Sequence, residues 1–188
     1  MADSISRRTL VTWAAAVGAA STANFSLASP AAMPSRWRGA VLQVDEGEFF
    51  ISGRRRARMR IKIDSTVAHG ATMSMVMSEV APGASIPVHL HLNEDELILI
   101  HQGSGLVTLN EQQLPSGAGA FLYAPNGAWH GVENTGHDTL IWCAVYSPPS
   151  FEQYFREVGT PSGGTAPPPS PERIAAAARK YGMVFKNP

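Results

Sequence analysis

The middle of the chain is punctuated by turns too often to leave room for long helices. Gly103-Ser104-Gly105, Pro125-Asn126-Gly127 and Asn134-Thr135-Gly136 each set turn-forming residues between short apolar runs. The runs themselves have strand character. Ala71 to Val80 alternates, with Met73, Met75 and Met77 on one face and Thr72, Ser74 and Ser78 on the other. Leu97-Ile98-Leu99-Ile100 is continuously apolar, and Leu106 to Leu109, beyond the glycine turn, is expected to be its hairpin partner. Phe121-Leu122-Tyr123 and Thr139 to Tyr146 continue the series. Many short strands at regular turn spacing predict an all-β sandwich or barrel. The pattern does not repeat, so a single barrel is expected over residues 37–147.

The flanks differ in kind. Residues 148–188 read as a helical tail with a Pro-rich linker. Ser150-Phe151-Glu152-Gln153 has the form of a capping box, with Ser150 as N-cap of a short helix that ends at Val158 and has Gly159 as its C′ residue. Ser170-Pro171-Glu172 opens a second helix that runs to about Tyr181 and stops at Gly182. At the other end, Ser6-Arg7-Arg8-Thr9-Leu10-Val11 precedes a modest apolar run, and Ser26-Leu27-Ala28 offers small residues for cleavage. Residues 1–28 are expected to be a signal peptide that resembles the bacterial twin-arginine (Tat) type. That resemblance implies export of an already folded protein to the periplasm or beyond. The apolar run is far short of the roughly 20 residues of a spanning helix, so no membrane insertion is expected once it is cleaved.

Composition excludes some partners. With 188 residues the chain can bury a core without disulfides. Its acidic and basic residues balance at fifteen each, which gives no support for a nucleic-acid partner. Cys143 is the single cysteine, so no intramolecular disulfide forms.

The chemistry concentrates in histidines. His89 and His91 are two apart, and on a strand residues i and i+2 project from one face. Glu96 follows after four residues, which a turn brings back toward the same point, and His130 lies just beyond the Pro125-Asn126-Gly127 turn. Three imidazoles and one carboxylate suit one divalent transition-metal ion and leave positions open for water or substrate. Glu94 and Asp95 are competitors for the carboxylate role.

Spacing sharpens this reading. Gly83, five residues, His89-x-His91, four residues, Glu96, six residues and Gly103 form one block. Gly119, five residues, Pro125-x-Gly127, two residues, His130, three residues and Asn134 form another. Together the two blocks resemble the paired signature motifs of the cupin superfamily. The resemblance implies a single cupin barrel (a double-stranded β-helix, or jelly roll) with two short C-terminal helices, a metal inside one end, and homodimers. It implies His89, His91, Glu96 and His130 as the ligands. Only Glu96 keeps the six-residue spacing to Gly103, which assigns Glu94 and Asp95 to an exposed turn. The FEQYFREVG and AAAARKYGMVF segments resemble small bacterial cupins of the quercetin-dioxygenase-like kind.

The expected activity is a metal-dependent dioxygenase acting on a small phenolic or enolic substrate, with Glu96 as ligand or general base. The alternatives are a non-catalytic metal- or small-molecule-binding cupin and a sugar isomerase or epimerase. Iron or manganese is favoured, because folding before export lets the cytoplasm choose the ion; copper, nickel and zinc are the alternatives. His69, His101 and His137 are expected to stay outside the site. Cys143 reads as an inert core thiol, and Arg54-Arg55-Arg56-Ala57-Arg58 as a solvated strand edge. Met73, Met75, Met77, Phe121, Tyr123, Trp129 and Trp142 are candidate lining for an aromatic-friendly pocket or members of the core.

Overall fold

The computed structural model describes residues 39–52, 57–161, 164 and 167–186; Arg7-Arg8, Arg54, Arg55, Arg56 and the whole of 1–28 lie outside them. The strands are β1 (Glu48–Ser52), β2 (Ala57–Ile63), β3 (Ser74–Val80), β4 (Ser85–His91), β5 (Asp95–Gln102), β6 (Ser104–Leu109), β7 (Gln112–Gly117), β8 (Phe121–Ala124), β9 (His130–Glu133) and β10 (Leu140–Ser147). After them come α1 (Glu152–Val158), β11 (Thr160–Pro161), α2 (Pro171–Lys180) and β12 (Met183–Phe185). They form a seven-stranded sheet ordered β11-β1-β2-β3-β10-β5-β8 and a five-stranded sheet ordered β12-β4-β9-β6-β7. All pairings are antiparallel, as a jelly roll requires.

Alternation becomes burial. Along β3 the inward residues are Ser74, Val76, Ser78 and Val80, and along β10 they are Leu140, Trp142, Ala144 and Tyr146. The apolar ones, with Ile98, Ile100, Val107 and Val132, belong to one core cluster shared by the two sheets. Each fully buried aliphatic or aromatic side chain contributes about 1.5–3 kcal/mol.

Four expectations need correction here. First, β5 and β6 do not form a hairpin. β5 pairs with β10 and β8, while β6 pairs with β9 and β7 in the other sheet. Gly103 is a corner rather than a hairpin turn. Its φ is +83°, and a Cβ there would lie 2.9 Å from the Thr139 carbonyl oxygen, so only glycine lets the chain change sheets at that point.

Second, Ser150 does not cap α1. Phe151 occupies the N-cap position without a side-chain cap, and the Ser150 hydroxyl is committed to Glu94. Gly159 is extended at φ −78°, not left-handed; it is glycine for room, because a Cβ would meet the Phe155 carbonyl oxygen at 2.6 Å and Phe50 at 2.7 Å. α2 behaves as expected, with Ser170 accepting from the Arg173 amide at 3.2 Å and Pro171 opening the helix.

Third, β2 is not an edge, since β1 and β3 flank it; Arg58 is exposed on its outer face and pairs with Glu79. Fourth, Cys143 points outward, opposite Met77 and Leu99, and is only partly buried. Burial still pushes its thiol pKa up, which keeps it protonated and inert.

The tail is more than helices. β12 adds to the five-stranded sheet beside β4, with Met183 opposite His91 and Phe185 opposite His89. α1 is tied to the body by Arg156, which donates to Glu48 and to the fully buried Asp64 at 2.6 Å. α2 is tied to α1 by Lys180 and Tyr181 donating to Glu157. Among the described residues, no helix is long and apolar enough to cross a membrane.

Candidate metal centre

β4 presents His89 and His91 on its buried face, two residues apart, and β9 opens with His130 directly opposite His89. Glu96 enters from β5 in the other sheet, so the four side chains meet in the space between sheets. The Pro125-Asn126-Gly127 turn is pinned to the ligand strand, since the Gly127 amide donates to the His91 carbonyl at 2.8 Å. The Asn134 side chain, fully buried, holds the turn after β9 by donating to the Val80 and Asp138 carbonyls.

One ligand atom from each of His89, His91, Glu96 and His130 lies within 4.8 Å of the others, and all four residues are buried. Glu96 Oε2 is 2.8 Å from His130 Nε2 and 3.1 Å from His91 Nε2. His89 Nδ1 faces the Pro87 carbonyl at 2.8 Å, and His130 Nδ1 faces the Ala128 carbonyl at 2.9 Å. A carbonyl only accepts, so each Nδ1 carries a proton and each Nε2 is turned inward. That leaves Nε2 as the atom each ring can offer to an ion, and the donor set fits a divalent transition ion.

Electrostatics agree. Burial, with His130 and His91 adding to it, pushes His89 down to about 3, so its ring is neutral. Burial would raise the Glu96 carboxyl, but hydrogen bonds from His130 and His91 outweigh it and hold the group well below the usual carboxylate range. Burial would lower His130, and the bond to Glu96 reverses that. A buried carboxylate among imidazoles is the charge arrangement that a cation completes.

The four expected site residues are therefore brought together. His69, His101 and His137 are exposed and outside the group, as expected. Asp95 lies at the turn, its carboxylate accepting from the Tyr123 hydroxyl and the Asn126 amide, each at 2.8 Å. Glu94 is a correction. It is 1% exposed, not in an exposed turn, and it accepts from the Ser150 hydroxyl. Burial pushes its carboxyl up, with Ser150 opposing. No local pattern marks Glu94, because its burial depends on α1, which arrives some sixty residues later in the chain.

A cavity opens onto His89, Glu96 and His130. Met59, Ile98 and Trp142 line its sheet side, and Tyr154, Phe155 and Ile174 of the tail line the other. Of the residues singled out as pocket lining, only Trp142 is there. Met73, Phe121 and Tyr123 are exposed: the inward face of β3 is the serine–valine one, and that of β8 carries Leu122 and Ala124. Trp129 is away from this cavity. Tyr146 was missed; it lines the cavity opposite Glu96 in register, and burial together with the nearby Glu96 carboxylate raises its phenol well above the ordinary value. Its place on the alternation of Leu140, Trp142 and Ala144 was the available signal.

Comparison with known proteins agrees with this architecture. The family model for the cupin domain matches residues 76–146. An uncharacterized protein of Methanocaldococcus jannaschii is 30% identical over 95 residues, 50% of this chain and 76% of that protein. The chain is a cupin.

Other relatives carry different functional names. An oxalate-binding protein of Thermotoga maritima is 28% identical over 93 residues, 50% of this chain and 77% of that one. A quercetin 2,3-dioxygenase of Bacillus subtilis is 25% identical over 159 residues, 81% of this chain and 46% of that one. Among solved structures, a predicted oxalate decarboxylase from Thermotoga maritima matches with a TM-score of 0.53 at 24% identity, covering 59% of this chain and all of that one. An RmlC-like cupin from Shewanella frigidimarina matches with a TM-score of 0.52 at 15% identity, covering 63% and 98%. At these identities the structures bear on the fold alone.

Proposed function

We propose that this cupin is a metal-dependent dioxygenase that acts on a small phenolic or enolic substrate. The observation that carries the reading is the lining of the cavity. Aliphatic and aromatic side chains dominate it, Glu96 is its one carboxylate, and no lysine or arginine is among its described lining residues. A dianion such as oxalate, or a sugar phosphate, calls for fixed cations to offset its desolvation. A flat, neutral, apolar molecule with one ionisable hydroxyl needs none. The partial similarity to quercetin 2,3-dioxygenase supports the same class.

His89, His91, Glu96 and His130 would hold the ion, which when bound stabilises an ionised substrate hydroxyl and supports reaction with dioxygen. The chain supplies the rest. Glu96 is within the cavity wall and takes the hydroxyl proton, with Tyr146 keeping it oriented. Trp142, Tyr154 and Phe155 give the cavity an aromatic lining suited to a ring system.

The non-catalytic alternative draws on the oxalate-binding relative. Export by the Tat-type route, an iron or manganese ion, and a homodimer remain proposals alongside. The test of the activity is oxygen uptake by metal-loaded protein with a panel of flavonols and enediols, with oxalate as comparison. Uptake stoichiometric with loss of a phenolic substrate supports the reading. Tight oxalate binding without oxygen uptake on any phenol contradicts it.

A further inference from the structure

The three imidazoles are not held alike. His89 and His130 each give Nδ1 to a backbone carbonyl two residues upstream. His91 has no such partner. Its Nδ1 is buried without a hydrogen bond, and so is Oε2 of Glu94. These two unpartnered atoms face each other at 3.9 Å, on side chains 1% and 0% exposed. Polar atoms left unsatisfied in the interior are costly. Among the described residues neither atom has a hydrogen-bond partner, and each is the other's opposite charge-bearing neighbour.

The surroundings limit which group moves. The edge of the His91 ring is packed against Phe151 at 4.2 Å between centroids and against Tyr146 at 5.6 Å. Glu94 is held on its other oxygen by the Ser150 hydroxyl. The ring is thus held by packing, and the carboxylate by one of its two oxygens.

We infer that Glu94 is a positioning residue for the metal centre: its Oε2 accepts the Nδ1 proton of His91 and presents His91 Nε2 to the ion. This rests on the four-ligand reading of the site, and not on the identity of the reaction. A carboxylate is a stronger acceptor than a carbonyl, so His91 becomes the most electron-rich of the three imidazoles. Ser150 stands at the entry to α1, whose Tyr154 and Phe155 wall the cavity. The chain of contacts from ion to His91, Glu94, Ser150 and α1 links ligand geometry to the cavity wall.

A competing explanation is that Glu94 only anchors the tail through Ser150. Glu94→Gln separates the two, because the amide oxygen still accepts from Ser150 while an NH2 replaces the acceptor facing His91. The experiment uses the full chain, with Co²⁺ titrated against a chromophoric chelator and the visible spectrum of the bound ion recorded. Glu94→Gln is expected to bind one Co²⁺ with a Kd raised about 10- to 100-fold and with shifted ligand-field bands. Its ion-free melting temperature should stay near that of the parent. Glu152→Gln removes a neighbouring buried carboxylate that makes no hydrogen bond or ion pair with His91, and should change neither Kd nor spectrum.

A second measurement needs no variant. In the Zn²⁺-loaded parent, nitrogen-15 spectra should show His91 protonated at Nδ1, with that proton furthest downfield of the three. Unaltered Kd and spectrum in Glu94→Gln, equal changes in Glu152→Gln, or a His91 Nδ1 without its proton in the loaded parent would each overturn the inference. Failure of His91→Ala to affect Co²⁺ binding would instead remove the four-ligand reading beneath it.

Discussion

Met183 in the last strand lies directly opposite His91 in the ligand strand, in antiparallel register. The chain thus closes over its own metal site: the strand that carries two candidate ligands is flanked by β9 on one side and by the C-terminal residues on the other. Met183 is 3% exposed and lines the cavity. Met183→Ala should destabilise the fold by about 2–5 kcal/mol, the range for emptying a buried methionine site. Chemical denaturation measures this, and a change under 1 kcal/mol would mean that β12 is not docked as described.

Loading with a divalent ion should stabilise the protein by mass action, by about 2.7 kcal/mol at a free concentration one hundred times Kd. The increment should vanish in His89→Ala, His91→Ala and His130→Ala, each of which should still fold. Glu96→Gln should keep part of the increment, since the amide oxygen still reaches the ion, yet lose turnover by at least 100-fold if Glu96 takes the substrate proton. Calorimetric melts with and without ion, beside oxygen-uptake rates, check both halves.

Asp64 sets an acid limit on stability. Burial alone would raise its carboxyl, but hydrogen bonds from Thr66 and Arg156 outweigh that and hold it below the ordinary 3.8. A carboxyl depressed in the folded state contributes its full stability above the unfolded value and loses it as pH falls through the folded value. The contribution should therefore be present at pH 5–7 and decline below about pH 4. Asp64→Asn should cost about 1–3 kcal/mol at neutral pH by leaving Arg156 short of a partner, and should flatten the acid limb of the stability curve. Urea denaturation from pH 3 to 7 reads both effects.

The expectation of iron or manganese depends on Arg7-Arg8 and on metal choice before export. Routing the protein through an unfolded-export signal should shift the bound ion toward copper or zinc, following relative affinity. Replacing Arg7-Arg8 by Lys-Lys should block export of the folded form. Identical metal content by both routes removes this expectation.

The four candidate ligands were legible, His89 and His91 by period-2 projection along one strand, and Glu96 and His130 through the resemblance of their spacing to the cupin signature motifs. What was not legible depends on partners distant in the chain. Glu94 is buried only because Ser150 and α1 return to it. Leu106 to Leu109 has the pattern of a hairpin arm, but the corner at Gly103 sends it to the other sheet. The methionine face of β3 looked like the core face because methionine is apolar. The other face carries Ser74 and Ser78 yet is the buried one, since Val76 and Val80 share it. Hydrophobicity alone does not decide which side of a two-sided strand faces in.

The account stands most directly on the metal content of the full chain, measured by elemental analysis together with X-ray absorption at the metal edge. It predicts one divalent transition ion per chain, bound by three imidazole nitrogens and a carboxylate oxygen, and its loss in His91→Ala. A protein that takes up no ion, or binds one without imidazole ligation and retains it in His91→Ala, would contradict the account.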